Sequence, residues 1–314
     1  MNPSPKIVFL GTPEFAVASM QALVENKFQV VGVVTAPDKP AGRGLKLTES
    51  AVKQYAVQKN IPVLQPVRLK DPEFLNQLKL LQPDLQVVVA FRMLPEMVWA
   101  MPPGGTINLH GSLLPQYRGA APINRAIMNG EIKTGVTTFK LQQEIDTGNI
   151  LLMEEIPIGM NETAGELHDR MKEIGAGLVV KTIRGLIERT LIEKPQGVVD
   201  PASLKLAPKI FTADCIINWS DEISKIHNQI RGLSPFPCAF TFLNGKSLKI
   251  FRSRPEKNLH GGTTGVMETD GKSWLRFLAA DGYIYVEELQ LEGKKRMPVV
   301  EFLRGFRDFK QQIS

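Results

Sequence analysis

Two rhythms of apolar and polar positions divide this chain. Over roughly its first two thirds, short runs that are apolar throughout alternate with stretches of helical period. Residues 7–10, 30–34 and 85–90 are rich in Val, Ile and Leu with no polar alternation, the pattern of strands buried on both faces. Between the first two, Glu14–Glu25 sets Phe15, Val17, Met20 and Leu23 on one helical stripe, and residues 50–59 and 72–81 read as further helices. Strand, helix, strand in succession predicts a parallel sheet covered by helices. More strands are expected at 62–64, Thr106–His110, 135–141 and 150–158. Arg118 to Ala120 is expected to open a helix through Ile127, and Ala164–Glu188 a long one with Leu167, Met171, Ile174, Leu178 and Ile183 buried.

The rhythm dissolves over 191–209, where Pro195, Gln196-Gly197, Pro201 and Pro208 fall close together, as in an interdomain linker. Beyond it come a helix at 222–230 and five short strands, at 239–242, 247–251, 265–267, 274–278 and 283–291. Asn244-Gly245, Asp270-Gly271 and Asp281-Gly282 supply the turns, so a small OB-like β barrel is expected. The expected fold class is α/β: a Rossmann-like parallel-sheet domain over 1–190, a linker over 191–209, and the barrel domain over 210–314.

Composition narrows this picture without changing it. A chain of 314 residues, 43% hydrophobic and 22% charged, is an ordinary globular protein with enough length for two cores. Residues 1–6 lack the apolar stretch of a signal peptide and no run is long enough to span a bilayer, so a cytoplasmic protein without membrane partners is expected, and a monomer. Two cysteines make no disulfide framework. Cys215, His227, Cys238 and His260 are 12, 11 and 22 residues apart, which matches no close-paired ligand pattern, so no metal is expected.

Charge is uneven. Residues 1–204 hold 21 Lys/Arg against 20 Asp/Glu, whereas 205–314 hold 17 against 12. A basic module joined to a neutral one points to a polyanionic partner.

Candidate chemistry gathers at Thr106–His110. Alternation along a strand puts Asn108 and His110 on one face near its carboxyl end, where active groups lie in open α/β sheets. An uncharged amide donor beside an imidazole suits acyl-type transfer. Asp146, in Asp146-Thr147-Gly148, is the carboxylate that a following loop can bring toward His110. The Asp-Thr-Gly of an aspartic protease needs a second copy, and there is none. Gly11 alone is no Gly-x-Gly-x-x-Gly fingerprint, so no dinucleotide is expected. The stretch 37–47, Pro-Asp-Lys-Pro-Ala-Gly-Arg-Gly-Leu-Lys-Leu, has no apolar period and reads as a mobile loop. It is either a solvated connector or a basic finger in which Lys39, Arg43 and Lys46 contact phosphate.

The motifs together resemble the folate-dependent formyltransferases. The resemblance rests on Gly11-Thr12-Pro13-Glu14-Phe15, the Pro37–Gly44 loop, Asn108 to Pro115, Arg118-Gly119-Ala120-Ala121-Pro122-Ile123 and Asp146-Thr147-Gly148, and extends over essentially the full length. It implies 10-formyltetrahydrofolate as formyl donor and Asn108, His110 and Asp146 as catalytic residues. Ser112, Leu113, Leu114 and Pro115 are implied as the folate wall. The Pro-Ala-Gly-Arg-Gly loop joined to a basic barrel implies the branch that formylates the α-amine of methionyl initiator tRNA in translation initiation, with Lys39, Arg43 and Lys46 on the tRNA. At 90–95 the sequence departs from the family, reading Ala-Phe-Arg-Met-Leu-Pro where Ala-Tyr-Gly and a longer stretch are usual. Two other classes stay open: a formyltransferase or hydrolase of small molecules, which needs no basic finger, and an RNA-binding protein without catalysis, which needs no Asn108, His110 and Asp146 together.

Overall fold

The structure is a computed structural model and describes residues 4–41, 46–197 and 200–305. The chain forms two compact units, the first made of 1–119, 135–156 and 168–206, the second of 120–134, 157–167 and 207–314.

In the first unit, β1 (Lys6–Gly11), α1 (Glu14–Glu25) and β2 (Gln29–Val34) form the expected opening. A hairpin of β3 (Lys39–Ala41) and β4 (Lys46–Thr48) follows, then α2 (Ala51–Gln58), β5 (Val63–Leu64), α3 (Pro72–Leu80), β6 (Leu85–Val89), α4 (Glu96–Trp99) and β7 (Thr106–His110). Ser50 and Asp71 cap α2 and α3 by accepting the N–H of Lys53 and Glu73, which explains why those helices start where they do. β8 (Arg118–Gly119) comes next, then α5 (Pro122–Met128), which belongs to the second unit, and then β9 (Lys133–Lys140), β10 (Ile150–Pro157) and α6 (Ala164–Glu188), which lie mostly in the first. Arg118 and Gly119 are therefore strand, and the helix starts only at Pro122, whose fixed φ and missing N–H suit the first helical turn.

The main sheet has the order β10-β9-β7-β6-β1-β2-β5. From β5 to β7 its neighbours run parallel, and β9 returns antiparallel to β7. The strand order reverses between β1 and β6, so their carboxyl ends, Gly11 and Val89, stand side by side at the switch point where ligands enter such sheets. Val8, Leu10, Val34 and Val88 pack with Phe74, Leu78 and Val98 on one face. Gly175 of α6 lets that helix close on Leu109, where a Cβ would come within 2.8 Å of the leucine. Because Leu109 turns toward α6, Asn108 and His110 are presented on the other face of β7.

Of the segment 37–47, residues 39–41 and 46–47 belong to an antiparallel ladder where the composition predicts a loop, and 42–45 lie outside the described residues. Lys39 pairs with Thr48 and Pro40 with Leu47, closing a ladder that apolar periodicity does not register. Its base is held by Asp38, which takes the Lys53 ammonium and the Gln65 amide, the latter at 2.8 Å. The expected linker is also partly structured: Lys194 bridges Ile150, and Tyr117 N–H reaches the Lys205 carbonyl at 2.6 Å.

The second unit contains β11 (Leu206–Ala207, of which Ala207 belongs here), α7 (Thr212–Cys215), α8 (Ile223–Leu233), β12 (Ala239–Leu243), β13 (Lys246–Lys257), β14 (Met267–Thr269), β15 (Leu275–Ala279), β16 (Gly282–Leu291), β17 (Met297–Pro298) and α9 (Val299–Gly305). Its sheet, β12-β13-β16-β15-β14 with β17 on β16, is antiparallel throughout. Asn244 and Gly245 at φ 50° and 73° make the left-handed hairpin turn that Asn-Gly predicts. Ile226, Ile230 and Leu233 of α8 fill the core with Leu248, Ile250, Phe277, Ile284 and Leu289. Buried Arg231 ties α8 to the 157–167 segment through the carbonyls of Gly159 and Glu162 at 3.3 and 3.2 Å.

Candidate active site

β7 carries Asn108 and His110, and the loop after β9 brings Asp146 to His110. The Asn108 amide is half-buried and has no side-chain hydrogen bond among the described residues. His110 is 6% exposed, and its Nε2 lies 2.8 Å from the Tyr117 carbonyl. A carbonyl only accepts, so Nε2 carries the proton and donates it. Nδ1 is thereby left to face Asp146, whose Oδ2 stands 3.7 Å away. A second proton on Nδ1 turns that approach into an ion pair.

Asp146 is held on several sides. Its Oδ2 accepts the Gly119 N–H at 2.9 Å, and its backbone sits at φ 54°, a left-handed conformation that Asp tolerates better than most residues. Two residues on, a Cβ at Gly148 would fall 1.6 Å from the Lys140 carbonyl oxygen, so only glycine lets the loop lie against the end of β9. The Gln196 amide donates to the carbonyls of Asp146 and Gly148 at 2.8 and 2.9 Å.

The turn 112–115 divides. Ser112 is fully buried, donates to the Gln116 carbonyl at 2.6 Å and accepts from Thr137 Oγ1 at its own carbonyl, also at 2.6 Å. Leu114 is buried too, with its N–H on Thr137 Oγ1 at 3.2 Å. Leu113 and Pro115 remain half-exposed, Leu113 lying over Gly135. Of the expected folate wall, two residues thus brace the turn from inside, because a polar backbone bend beside a strand needs internal partners.

At the end of β6, Ala90 takes φ 47°, and half-buried Phe91 and Leu94, with Leu141, pack against the core beneath them. Arg92 donates to the Val67 carbonyl at 2.9 Å and to that of Pro66. Burial pulls its guanidinium below the usual arginine range. In the hairpin, Lys39 is exposed, while Arg43 and the Lys46 side chain lie outside the described residues. Among the described residues no group of His, Cys, Asp and Glu is arranged to hold a metal, and no helix is long and apolar enough to cross a membrane.

The sequence pattern marks Arg118-Gly119 as part of a motif without a role of its own and leaves Gln196 in the linker. The signal for Gly119 was its motif; for Gln196, an isolated polar residue in an irregular stretch, there was none.

Comparison with known proteins places these features in a lineage. Residues 5–183 match the family described as formyl transferase, and residues 209–307 match formyl transferase, C-terminal domain. The methionyl-tRNA formyltransferase of Bacteroides fragilis is 48% identical over 307 residues, 96% of this chain and 95% of that protein. That of Parabacteroides distasonis is 50% identical over 310 residues, 96% of each. Among solved structures, the sugar 3N-formyl transferase WlaRD, crystallised with dTDP and 5-N-formyl-THF, superposes with a TM-score of 0.67 at 22% identity, covering 93% of this chain and 99% of its own. HypX from Aquifex aeolicus in complex with tetrahydrofolic acid gives a TM-score of 0.65 at 18% identity, covering 96% of this chain and 48% of its own. At these identities the two structures speak to the fold.

Proposed function

The chain belongs to the formyl transferase family across both of its domains, and on that premise we propose that it transfers the formyl group of 10-formyltetrahydrofolate to the α-amine of methionine carried on initiator tRNA. The observation that carries the reading is identity of 48–50% over 96% of the chain to proteins that bear that activity in their names.

The bond that forms joins the amine nitrogen to the formyl carbon, and the bond that breaks joins that carbon to N10 of the folate. The amine attacks as its neutral form. Asn108, whose amide has no protein partner among the described residues, donates to the formyl oxygen as negative charge grows there. His110, fixed by the Tyr117 carbonyl, adds its imidazolium field when Nδ1 is protonated. Asp146 faces that nitrogen, receives the proton released by the amine and returns one to N10 as it departs. The folate ring lies against half-buried Phe91 and Leu94 near the switch point, with Leu113 and Pro115 along it. The basic C-terminal unit and the hairpin residues Lys39, Arg43 and Lys46 engage the tRNA backbone, and the enzyme works as a monomer in the cytoplasm.

The test offers labelled formyl donor with charged initiator tRNA, charged elongator tRNA and free methionine. Label on the initiator species alone supports the reading. Equal label on free methionine would move the enzyme to the small-molecule branch, and no label at all would end the catalytic reading.

A further inference from the structure

Gln196 makes four hydrogen bonds through one side-chain amide. Its Oε1 accepts Nε and Nη2 of Arg118 at 3.1 and 2.6 Å, and its Nε2 donates to the carbonyls of Asp146 and Gly148 at 2.8 and 2.9 Å. Arg118 adjoins Gly119, whose N–H holds the Asp146 carboxylate at 2.9 Å. The contacts close a ring, from Gln196 to the Asp146 backbone, through its carboxylate to Gly119, and back by Arg118. All of these residues lie in the first unit. We infer that Gln196 is a positioning residue for the formyl transfer proposed above, setting the spacing between Asp146 and His110 while touching neither substrate.

The chemistry of the side chain supports this role. Both faces of the amide are in use, one only as acceptor and the other only as donor, so the ring fixes the orientation of the amide as well as its place. Asp146 needs such a brace. Its φ of 54° is left-handed, and Gly148 sits where no Cβ fits, so the loop is confined at Gly148 by Lys140 and at Asp146 by Gln196. Without the two donated bonds, two carbonyls lose their partners and the carboxylate is free to swing from the 3.7 Å approach to His110. The inference rests on the catalytic reading of Asp146, and the experiment separates the two.

Steady-state kinetics compare Gln196→Met and Gln196→Glu in the full chain and in an Asp146→Ala background, with thermal unfolding as a fold check. Glu keeps the size and the acceptor for Arg118 but presents no donor to the two carbonyls. Both variants are expected to lower kcat about 10- to 100-fold with the KM values for donor and tRNA changed less than about 3-fold. In the Asp146→Ala background neither has a further effect, because the group being positioned is gone. Full kcat in Gln196→Glu would overturn the donor role, and an equal loss in both backgrounds would show that Gln196 acts elsewhere. Unchanged kcat in Asp146→Ala itself would remove the catalytic role of Asp146 and the inference with it.

Discussion

Asp146 Oδ2 lies 3.7 Å from His110 Nδ1 and 2.9 Å from the Gly119 nitrogen, so one carboxylate oxygen serves both a backbone anchor and the imidazole. The anchor is a full hydrogen bond and the imidazole contact is not. In the proposed reaction this contact tightens when substrate arrives, because a carboxylate pinned at one side needs only a small rotation to close the gap.

Removing any of Asn108, His110 and Asp146 should lower turnover about 100-fold or more while leaving the fold intact. Single-turnover formylation by the three alanine variants measures this, with circular dichroism beside it. Near-normal rates in Asn108→Ala and His110→Ala would dismiss the site.

Gly148→Ala should damage the loop itself. The added Cβ meets the Lys140 carbonyl oxygen at 1.6 Å, a backbone atom that cannot rotate away, whereas a Cβ at Gly197 meets nothing within 4 Å. Gly148→Ala is expected to cost roughly 1–3 kcal/mol of stability and most of the turnover, with Gly197→Ala close to wild type. Urea titration and kcat report the two effects. Equal behaviour of the two variants would show that the loop adjusts freely.

His227 ties the second unit to pH. Burial first, and the charge of Arg231 second, depress its pKa from 6.5 to about 4. Between those values the unfolded chain binds a proton that the folded one refuses, so stability falls as pH drops through the window and levels off below it. At about 1.4 kcal/mol per pH unit, the loss is on the order of 3 kcal/mol. Unfolding midpoints at pH 7 and pH 4.5 should differ less in His227→Gln than in wild type. Parallel pH profiles would reject the assignment.

Arg43→Ala should cost roughly 1–3 kcal/mol in kcat/KM with charged tRNA and leave folate affinity unchanged, and Arg43→Lys should rescue it only in part. A lysine point charge cannot reproduce a forked guanidinium contact. Unaltered kinetics in Arg43→Ala would make the 37–47 segment a plain connector.

Much of this molecule is written locally. Residue types fixed α1 to Glu14–Glu25 and α6 to Ala164–Glu188, and they placed Asn108 and His110 on one strand face, because a helix or strand records its buried side as a period in the sequence. Asn244-Gly245 announced its hairpin for an equally local reason, the left-handed backbone that those residues accept. The hairpin ladder of 39–41 with 46–48 left no such period. The helix Val299–Gly305 is likewise absent from the elements that the sequence pattern predicts. Tertiary structure alone decided that segments 120–134 and 157–167 belong with 207–314, and that Arg231 binds the carbonyls of Gly159 and Glu162. It also decided that Ser112 is internal and that Gln196, 50 residues beyond Asp146, holds the loop carrying that carboxylate. Those contacts join a side chain to the backbone of a remote turn. Their partners are set by where the chain passes in space, and nothing in the neighbouring residues has to change when they form.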